Sequence, residues 1–411
     1  MKIAFVSEHA SPLAAVGGTD SGGQNVHVAE LARVLGTLGH QVTVYTRRDG
    51  TSQRDRVRMC RGVIVEHVRA GPPKPLPKDK LLPYMAAFGR FLRERWNYDP
   101  PDVAHAHFWM SGLAALDGAR GLGVPVVQTF HALGVVKRRH QGTEDTSPGA
   151  RIRLEVRIAG GVAKVLATSS DETSELARLG VPGNRVSVIP CGVDTAAFRP
   201  DGPVARRGEA PRLLAAGRLV RRKDLETVLR ALPGVPDAEL LIAGGPPAGR
   251  LRGDAEYRRL SRLAGELGIS DRVSFRGRVA RADMPALMRS ADLVVSVPWY
   301  EPFGMVPLEA MACGVPVVAS AVGGHTDTVV DGVTGALVPP RQPGTLAGVV
   351  RDLLASGKLP CYGAAAAERA HGRYSWERIG RETAAAYERV RGIRRHAGPD
   401  GQPGSSAAGA A

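Results

Sequence analysis

The sequence predicts an α/β protein made of two doubly wound domains, each with a parallel sheet, that face each other across a cleft. A chain of 411 residues is too long for one compact core. Short runs of branched apolar residues alternate with amphipathic stretches, which is typical of parallel strands joined by crossover helices. The alternation pauses in a Pro-, Gly- and Arg-rich segment that reaches about residue 211, and then begins again. We therefore expect two domains of similar construction.

The first domain is assigned to residues 1–192. Its apolar runs predict strands, and its amphipathic runs predict helices between them. The strands are expected at 2–7, 41–46, 63–68, 103–106, 124–128, 165–168 and 186–189. The helices are expected at 24–38, 82–95, 113–120, 151–163 and 171–179.

The second domain is assigned to residues 193–375 and repeats the pattern. Its strands are expected at 212–216, 239–243, 273–276, 293–297 and 316–319. Its helices are expected at 224–231, 254–267, 284–290, 307–313, 343–355 and 361–372. A last helix is expected at 376–395, and the Gly-, Ala-, Ser- and Pro-rich tail at 396–411 is predicted to be disordered. Ligands of open α/β sheets collect beyond the carboxyl ends of the strands, so two facing domains would hold two ligands in one cleft.

Composition argues against several classes of function. The formal charge is +15, but the basic residues are spread along the chain and aromatic residues make up only 5%, which disfavours a nucleic-acid surface. The longest apolar runs fall short of the ~20 residues that span a bilayer. Met1 and Lys2 lead directly into a strand, without a secretory leader, and the four cysteines lack metal-binding spacing. We expect a cytoplasmic protein with reduced thiols and no integral membrane association, for which a homodimer is compatible with the sequence.

The segment from Trp299 to Glu309 holds the most informative pattern, two glutamates eight positions apart around a Pro- and Gly-containing turn. Glu301 is expected on the loop and Glu309 in the first turn of the next helix. Carboxylates accept hydroxyl protons, so this pair would hold hydroxyls of a sugar and a ribose. Read alone, the pair would more simply be an acidic cap of the helix. The amides that would hold phosphate at the helix start belong to Phe303, Gly304, Met305 and Val306.

The loop after the first strand is rich in glycine. Gly22 and Gly23 lack side chains, so a phosphate or a sugar could approach the backbone closely. Ser21 and Gln24 have the spacing of a capping box for the following helix. The pattern is not GxGxxG, and no acidic residue ends the second strand, which disfavours a dinucleotide-dependent oxidoreductase. A merely flexible loop is the alternative interpretation.

Basic residues follow the strand that opens the second domain. Arg218 and Lys223 are candidates to stabilise a diphosphate that leaves as an anion. Their neighbours Arg221 and Arg222 are better explained as a solvated loop. Gly244 and the turn containing Arg278 follow later strands, where they could contact a ribose and a base, although ordinary turn chemistry explains them nearly as well.

Two histidine segments lie at strand ends in the first domain. His131 is interpreted as a polar group beside the sugar, whereas His105 and His107 could equally be hydrogen-bonded structural residues. No Asp-x-Asp or thiolate ligand accompanies them, so no metal site and no cofactor are predicted.

Together these motifs resemble the retaining glycosyltransferases of family 4, which adopt the GT-B fold of two Rossmann-like domains. The resemblance covers residues 1 to about 390 in the correct order. The elements that carry it are the Gly-rich loop, Thr129-Phe130-His131, Pro190-Cys191-Gly192-Val193-Asp194, Arg218 with Lys223, Gly244-Gly245, and Glu301 to Glu309 as the Glu-x7-Glu pattern. The segments at 20–25 and 105–112 are most similar to the sucrose-phosphate-synthase group and to the mycothiol-pathway transferase that acts on inositol phosphate.

The resemblance implies a role for each donor-site residue. Glu309 would hold the ribose of a nucleotide, Glu301 a hydroxyl of the donor sugar, and Arg218 with Lys223 the diphosphate. It further implies metal-independent, front-face transfer with retention from a nucleotide-diphosphate sugar, with UDP the first choice of nucleotide. His131 would contact the sugar near the reacting centre. The last helix would cross back onto the first domain.

The acceptor site departs from the inositol-phosphate enzymes of the family. Asn25 and Lys78 match that pattern, and Arg151 or Arg153 could supply its arginine. However, Phe108, beside His107, and Ala132 replace two hydroxyl-bearing residues. The acceptor candidates are therefore Asn25, Lys78, His107 and Arg151. We expect a small hydroxylated acceptor, still anionic but different from inositol phosphate.

Two other functions stay open on the sequence. One is a peripheral-membrane transferase with a lipid acceptor, for which the basic, amphipathic segment at 81–95 is a fair candidate. The other is a non-catalytic protein that binds nucleotide sugars. The presence of every donor-site position disfavours the second.

Overall fold

The computed structural model describes residues 1–14 and 22–396, and within these the framework consists of two sheets. The first domain contributes strands β1 (Lys2–Val6), β2 (Gln41–Arg47), β3 (Arg56–Cys60), β4 (Val63–Val68), β5 (Val103–His107), β6 (Val126–Thr129), β7 (Lys164–Ala167) and β8 (Val186–Val188). Its helices are α1 (Gly23–Thr37), α2 (Met85–Tyr98), α3 (Trp109–Ala119), α4 (Gly134–Gln141), α5 (Arg151–Gly161) and α6 (Ser170–Arg178).

The second domain follows the same plan. Its strands are β9 (Arg212–Ala216), β10 (Glu239–Ala243), β11 (Val273–Gly277), β12 (Leu293–Ser296), β13 (Val317–Ser320) and β14 (Gly335–Val338). Its helices are α7 (Leu225–Ala231), α8 (Ala255–Glu266), α9 (Met284–Arg289), α10 (Met305–Ala312), α11 (His325–Thr328), α12 (Pro343–Ala355) and α13 (Leu359–Tyr374). Helix α14 (Trp376–His396) ends the described chain.

Strand order explains where the cleft lies. The first sheet runs β3-β4-β2-β1-β5-β6-β7-β8, and the second runs β11-β10-β9-β12-β13-β14. The direction of winding reverses between β1 and β5 in the first sheet and between β9 and β12 in the second. Such switch points open a crevice at the carboxyl ends of the strands. The predicted fold class of two doubly wound parallel-sheet domains is confirmed.

The structure contains elements that the sequence patterns missed. Strand β3 pairs antiparallel with β4, so the first sheet is not wholly parallel. Its sequence, RVRMC, lies at a sheet edge and is only partly buried, so it has no continuous apolar run. Strand β14 and helix α4 were also not predicted. The apolar content of α4 is low, because it carries Lys137, Arg138 and Arg139 in two turns.

Helix α14 packs on α1 of the first domain. A Cβ atom placed on Gly380 would lie 2.3 Å from a methyl group of Val34, so the two helices approach as closely as glycine allows. A Cβ atom placed on Gly192 would likewise lie 2.5 Å from the indole of Trp376. The backbone N–H of Val193 donates to the carbonyl of Tyr374 at 2.7 Å. The linker and the last helix are thus held together where the domains meet.

Helix α2, the candidate membrane segment, directs its apolar side chains into the protein. Met85, Phe88, Leu92 and Trp96 are all buried in the core of the first domain. Within the described residues, no helix combines the length and the apolarity needed to cross a membrane. The four cysteines, all of which lie in the described part, are free thiols. Residues 397–411, most of the predicted disordered tail, and Ser21 lie outside the described residues.

Candidate active site

The two switch points face each other across the cleft. Gly22 precedes α1 in the first domain, and α10 begins directly opposite in the second. A Cβ atom on Gly23 would lie 3.3 Å from the sulfur of Met305, whereas a Cβ on Gly22 would meet nothing within 4 Å. Gly22 and Gly23 therefore leave backbone accessible close to the first turn of α10. This is the space in which the sequence predicts a diphosphate.

Glu301 lies on the loop between β12 and α10 and contacts a cluster of cations. Its carboxylate accepts a hydrogen bond from the ammonium of Lys223 and lies 3.7 Å from the guanidinium of Arg222. A backbone bond of 2.9 Å from the N–H of Trp299 to the carbonyl of Arg222 joins the two loops. Burial alone would raise the pKa of Glu301, but Lys223 and Arg222 lower it to about 2. Glu301 is therefore ionised throughout the neutral range.

Glu309 lies in the second turn of α10, because the helix begins at Met305, two residues before the predicted start. Its side chain is buried, and its Oε1 accepts from Nη1 of Arg281 at 2.7 Å. Burial raises the pKa of Glu309, and Arg281 opposes that shift. The guanidinium of Arg281 rests 5.0 Å from the ring of Phe198. Each glutamate of the pair is thus held by a cation from another element.

The turn before α10 has a conformation that requires glycine. Gly304 has φ +93°, and a Cβ atom there would lie 2.4 Å from the imidazole of His325. The N–H of Gly324 donates to the carbonyl of Glu301 at 3.0 Å and fixes the loop from behind. Phe303 packs in the core, while Met305 and Val306 start the helix. N–H groups in a first helical turn lack helical acceptors, so these amides can meet an anion.

Arg218 and Lys223 line one cavity beyond the end of β9. Burial lowers the pKa of Lys223, and the charges of Arg222 and Arg218 act in the same direction, whereas Glu301 opposes them. Gly244 lies beside them. A Cβ atom there would come within 1.7 Å of the carbonyl oxygen of Gly217, so only glycine fits. Arg278 is exposed, and its N–H donates to Pro246 at 2.9 Å. The predicted diphosphate residues thus converge, while Arg278 lies on a surface turn.

Uncharged histidines form the facing wall in the first domain. His107 ends β5, and its Nδ1 lies 3.0 Å from Nε2 of His131, which follows β6 with φ +59°. His27 of α1 packs edge-on against both rings. Burial lowers the pKa of His27 to about 4 and those of His107 and His131 well below the usual value. His105 points away, with its two nitrogens bonded to Tyr387 and Thr129 at 2.6 and 2.9 Å.

The predicted acceptor residues differ in how far their side chains are already bonded within the protein. Asn25 is buried and serves its own helix, because its Oδ1 accepts from the N–H of Gly22 and its Nδ2 donates to the carbonyl of Ser11, each at 3.0 Å. Asn25 therefore caps the start of its own helix. The side chain of Gln24 instead donates to the carbonyl of His107 at 3.3 Å.

Lys78 and Arg151 approach the same ring. The ammonium of Lys78 lies 5.9 Å and the guanidinium of Arg151 5.1 Å from the centroid of Phe108. Arg151 is buried and bonded to Glu155 at 2.7 Å and to the carbonyl of Ala132 at 2.5 Å. Phe108 itself has φ +82° at the end of β5, a strained conformation of the kind found at functional sites. Arg153 is exposed on α5.

A contact across the cleft joins α4 to the loop of Glu301. The hydroxyl of Tyr300 accepts from the side chain of Gln141 at 2.8 Å, and its ring stacks on His140 at 5.2 Å between centroids. Arg222 lies 5.4 Å from the centre of the same ring. Next to this contact is a cavity of about 250 Å³ lined by both domains, with Arg139, Glu172, Glu301 and Thr326 among its polar residues.

Comparison with known proteins identifies the chain. The family model Glycosyltransferase Family 4 matches residues 21–197, and Glycosyl transferases group 1 matches residues 201–369. D-inositol 3-phosphate glycosyltransferase 2 of Catenulispora acidiphila is 36% identical over 408 residues, which cover 94% of this chain and 95% of the relative. The chain belongs to glycosyltransferase family 4.

Other proteins are similar to this chain over most of their length. The D-inositol 3-phosphate glycosyltransferase of Mycolicibacterium vanbaalenii is 37% identical over 373 residues, which cover 86% of this chain and 83% of that one. The structure of sucrose-phosphate synthase from Thermosynechococcus elongatus matches with a TM-score of 0.87 at 31% identity, over 95% of this chain and 99% of that one. The family and the GT-B fold predicted from the sequence are confirmed.

Several residues of this family 4 glycosyltransferase escaped prediction from the sequence. They are His27, Arg281, Tyr300 and His325. The sequence gives one indication of Arg281, because this residue closely follows the strand-end turn at Gly277. Tyr300 directly precedes Glu301, but its hydrogen-bond partner Gln141 on α4 is 159 residues away in the chain. His27 lies within an ordinary amphipathic helix, and nothing in its local sequence marks it.

Proposed function

We propose that the protein transfers a hexosyl group, with retention and without a metal ion, from a UDP-sugar to a small hydroxylated, anionic acceptor. The observation that carries this proposal is the pair of buried carboxylates beside α10, each held by a cation. Glu301 meets Lys223, and Glu309 meets Arg281. A bound nucleotide sugar can replace these contacts with better ones, because its diphosphate attracts the cations and its hydroxyls donate to the carboxylates.

The residues support a direct mechanism. The bond between the sugar C1 and the β-phosphate oxygen breaks while an acceptor oxygen forms a bond to C1 from the same face. The acceptor proton moves to the departing phosphate oxygen, so the products are a glycoside and a nucleoside diphosphate. Lys223, Arg218 and the amides of Met305 and Val306 would stabilise the charge that develops on that leaving group. His131, uncharged at neutral pH, would hydrogen-bond the sugar beside the reacting centre.

Charge on these side chains replaces the role that a metal ion has in other nucleotide-sugar enzymes. We therefore expect transfer to continue in EDTA at the rate measured without it. Assays with EDTA, and with EDTA followed by excess Mg²⁺ or Mn²⁺, check this expectation. Loss of activity in EDTA that either ion restores would contradict it.

The acceptor is best described by its chemistry. Lys78 and Arg151 both flank Phe108 on the first-domain wall, where Arg151 is paired with Glu155 and Lys78 offers positive charge. Relatives that cover most of the chain are named D-inositol 3-phosphate glycosyltransferases, so inositol phosphate belongs in any acceptor panel. Phe108 and Ala132 contribute no hydroxyl to this wall, however. We therefore favour an anionic polyol other than inositol phosphate, encountered in the cytoplasm.

No observation favours the two alternatives. A lipid acceptor was suggested by the segment of α2, but that helix uses its apolar face for the protein core. A non-catalytic protein that binds nucleotide sugars would also need Arg218 and Lys223 around the diphosphate, so turnover of a nucleotide sugar is the measurement that separates it from a transferase.

Thermal-shift measurements against UDP, GDP, ADP and dTDP test the donor. The preferred nucleotide at 100 times its dissociation constant adds about 2.7 kcal/mol of stability. The matching nucleotide sugars are then incubated with an acceptor panel, and NMR of the product reports the anomeric configuration. A shift with none of the nucleotides, or a product of inverted configuration, would overturn the proposal.

A further inference from the structure

Three imidazoles meet on the floor of the first-domain wall. They belong to His27 of α1, His107 at the end of β5 and His131 after β6, and one nitrogen from each lies within 4.8 Å of the other two. His27 and His107 are buried, while His131 is partly exposed. Three different elements therefore bring their nitrogens to one point.

The hydrogen bonding of this cluster is incomplete. Nδ1 of His107 lies 3.0 Å from Nε2 of His131, and Nδ1 of His27 lies 3.2 Å from the sulfur of Cys191. Nε2 of His107 is buried and has no hydrogen-bond partner. Buried polar nitrogens are nearly always satisfied, so the protein by itself does not complete the hydrogen bonding of this cluster. His105 differs, because both its nitrogens already have protein partners.

We propose that His27, His107 and His131 bind a divalent transition-metal ion of the Zn²⁺ class, and that this ion inhibits transfer. Imidazole nitrogens suit Zn²⁺, Cu²⁺ and Ni²⁺, whereas Mg²⁺ and Ca²⁺ prefer oxygen ligands. Three protein ligands with one position left to solvent is a common arrangement for Zn²⁺. Here the open position faces the cleft on the side of His131, the least buried of the three.

The geometry is near that of such a site. Zn–N bonds of about 2.0–2.1 Å in a tetrahedron place the ligand nitrogens roughly 3.3 Å apart. Nδ1 of His107 and Nε2 of His131 are 3.0 Å apart, and one nitrogen from each of the three rings lies within 4.8 Å of the others. Small side-chain rotations would therefore bring three nitrogens to the spacing of a Zn²⁺ site. The inhibition rests on the proposed function: an ion that holds His131 removes its imidazole from the donor sugar. It is compatible with metal-independent transfer, because the ion would block the site rather than support the reaction.

The binding test does not depend on activity. Co²⁺ is titrated into the apoprotein, and the visible d–d absorption of four-coordinate cobalt is recorded, with Zn²⁺ as competitor. We expect one equivalent to bind, and His27→Gln to weaken binding at least about tenfold, since loss of a ligand costs more than loss of a supporting contact. His105→Gln is the matched control for a buried histidine, and His140→Gln controls for metal capture at the cleft surface. Both should bind like the wild type.

The activity test uses the same proteins. Zn²⁺ should inhibit the wild type and both controls, EDTA should restore their activity, and His27→Gln should resist the same Zn²⁺ concentration. Circular dichroism and melting temperature report whether His27→Gln folds, and if it does not, His107→Gln replaces it in the cobalt titration. Absence of cobalt binding in the wild type, or equal binding by the His27 variant, would overturn the site. If no substrate is turned over by any variant, the proposed function fails, whereas the cobalt spectra still decide the site.

Discussion

The two walls of the cleft use opposite chemistry. On the second-domain wall, Glu301 and Glu309 are ionisable groups paired with Lys223 and Arg281. On the first-domain wall, the rings of His107 and His131 are uncharged, and the buried charge of Arg151 is already neutralised by Glu155. The second wall therefore offers paired charges that a ligand can take over, whereas the first wall offers neutral hydrogen-bonding rings, with Lys78 beside them.

This difference has a physical cause. A buried charge without a partner is costly, so an empty site for a diphosphate and a ribose must pair its own acids with its own bases. A wall that holds sugar and acceptor hydroxyls has no such requirement, because neutral imidazoles can both donate and accept. We expect substitutions on the second wall to change both stability and activity, and contacts that join the walls to have smaller effects.

The largest effect is expected for Lys223→Ala. This change removes a charge from the leaving group and leaves Glu301 without its closest partner. A charge-assisted hydrogen bond contributes roughly 1.5–3 kcal/mol, so kcat/KM should fall by about ten- to hundredfold. Arg218→Ala should lose about tenfold or more. Arg221→Ala, an exposed arginine in the same turn, is the control and should retain activity. Wild-type turnover in both Lys223→Ala and Arg218→Ala would show that neither residue acts on the diphosphate.

The next effect separates the two glutamates. Glu309→Gln should weaken binding of the free nucleoside diphosphate and of the intact donor. Glu301→Gln should leave nucleoside-diphosphate affinity within about twofold, because that ligand carries no sugar, yet lower kcat by about tenfold or more. Calorimetric titration of UDP into each variant, combined with kcat, checks the assignment. Equal loss of UDP affinity in both variants would mean that the two carboxylates are exchanged or share one ligand group.

Acid stability provides a third comparison. The folded-state pKa of Glu301 is lowered to about 2 from an ordinary value of 4.5, so its contribution is present above pH 4.5 and is lost as pH falls toward 2. The pKa of Glu309 is raised by burial, so its ionisation has the opposite effect and lowers stability as pH rises. Unfolding by urea between pH 5 and pH 3 should show a weaker acid destabilisation in Glu301→Gln than in the wild type. Glu309→Gln removes a group that opposes acid destabilisation, so its acid destabilisation should be steeper than that of the wild type. An unchanged slope in Glu301→Gln would contradict the prediction.

The smallest effect is expected for the contact between the walls. Tyr300→Phe removes the hydroxyl that accepts from Gln141 but preserves the ring that stacks on His140. A net hydrogen bond is worth about 0.5–1.5 kcal/mol, so kcat/KM should fall about two- to tenfold. Gln141→Ala should have a similar effect, and the double variant should lose little more. Fully additive losses in this double-mutant cycle would show that the two side chains do not act together.

Much of the donor site could be predicted from the sequence. Alternating apolar and amphipathic runs determine parallel strands and crossover helices locally, so both domains were recognised. Arg218, Lys223 and Gly244 follow strands directly, and the carboxyl ends of parallel strands meet at one edge, which brings these residues together. The spacing of Glu301 and Glu309 is set by one turn and one helix. The start of α10 was placed two residues late, and the prediction that Arg222 belongs to a solvated loop was wrong, because its side chain is largely buried against Glu301 and Tyr300.

The tertiary structure alone decided which groups are partners. Arg281 pairs with Glu309 across 28 residues, and Lys223 pairs with Glu301 across 78. His27 joins the histidine cluster from a helix whose local sequence is unremarkable, and the side chain of Asn25 hydrogen-bonds to the start of its own helix. Side-chain chemistry and short-range spacing are properties of the chain, and they determined the fold and the family. Distances between loops depend on how sheets and helices pack, so only packing could decide which acids are held by which bases and which imidazoles converge.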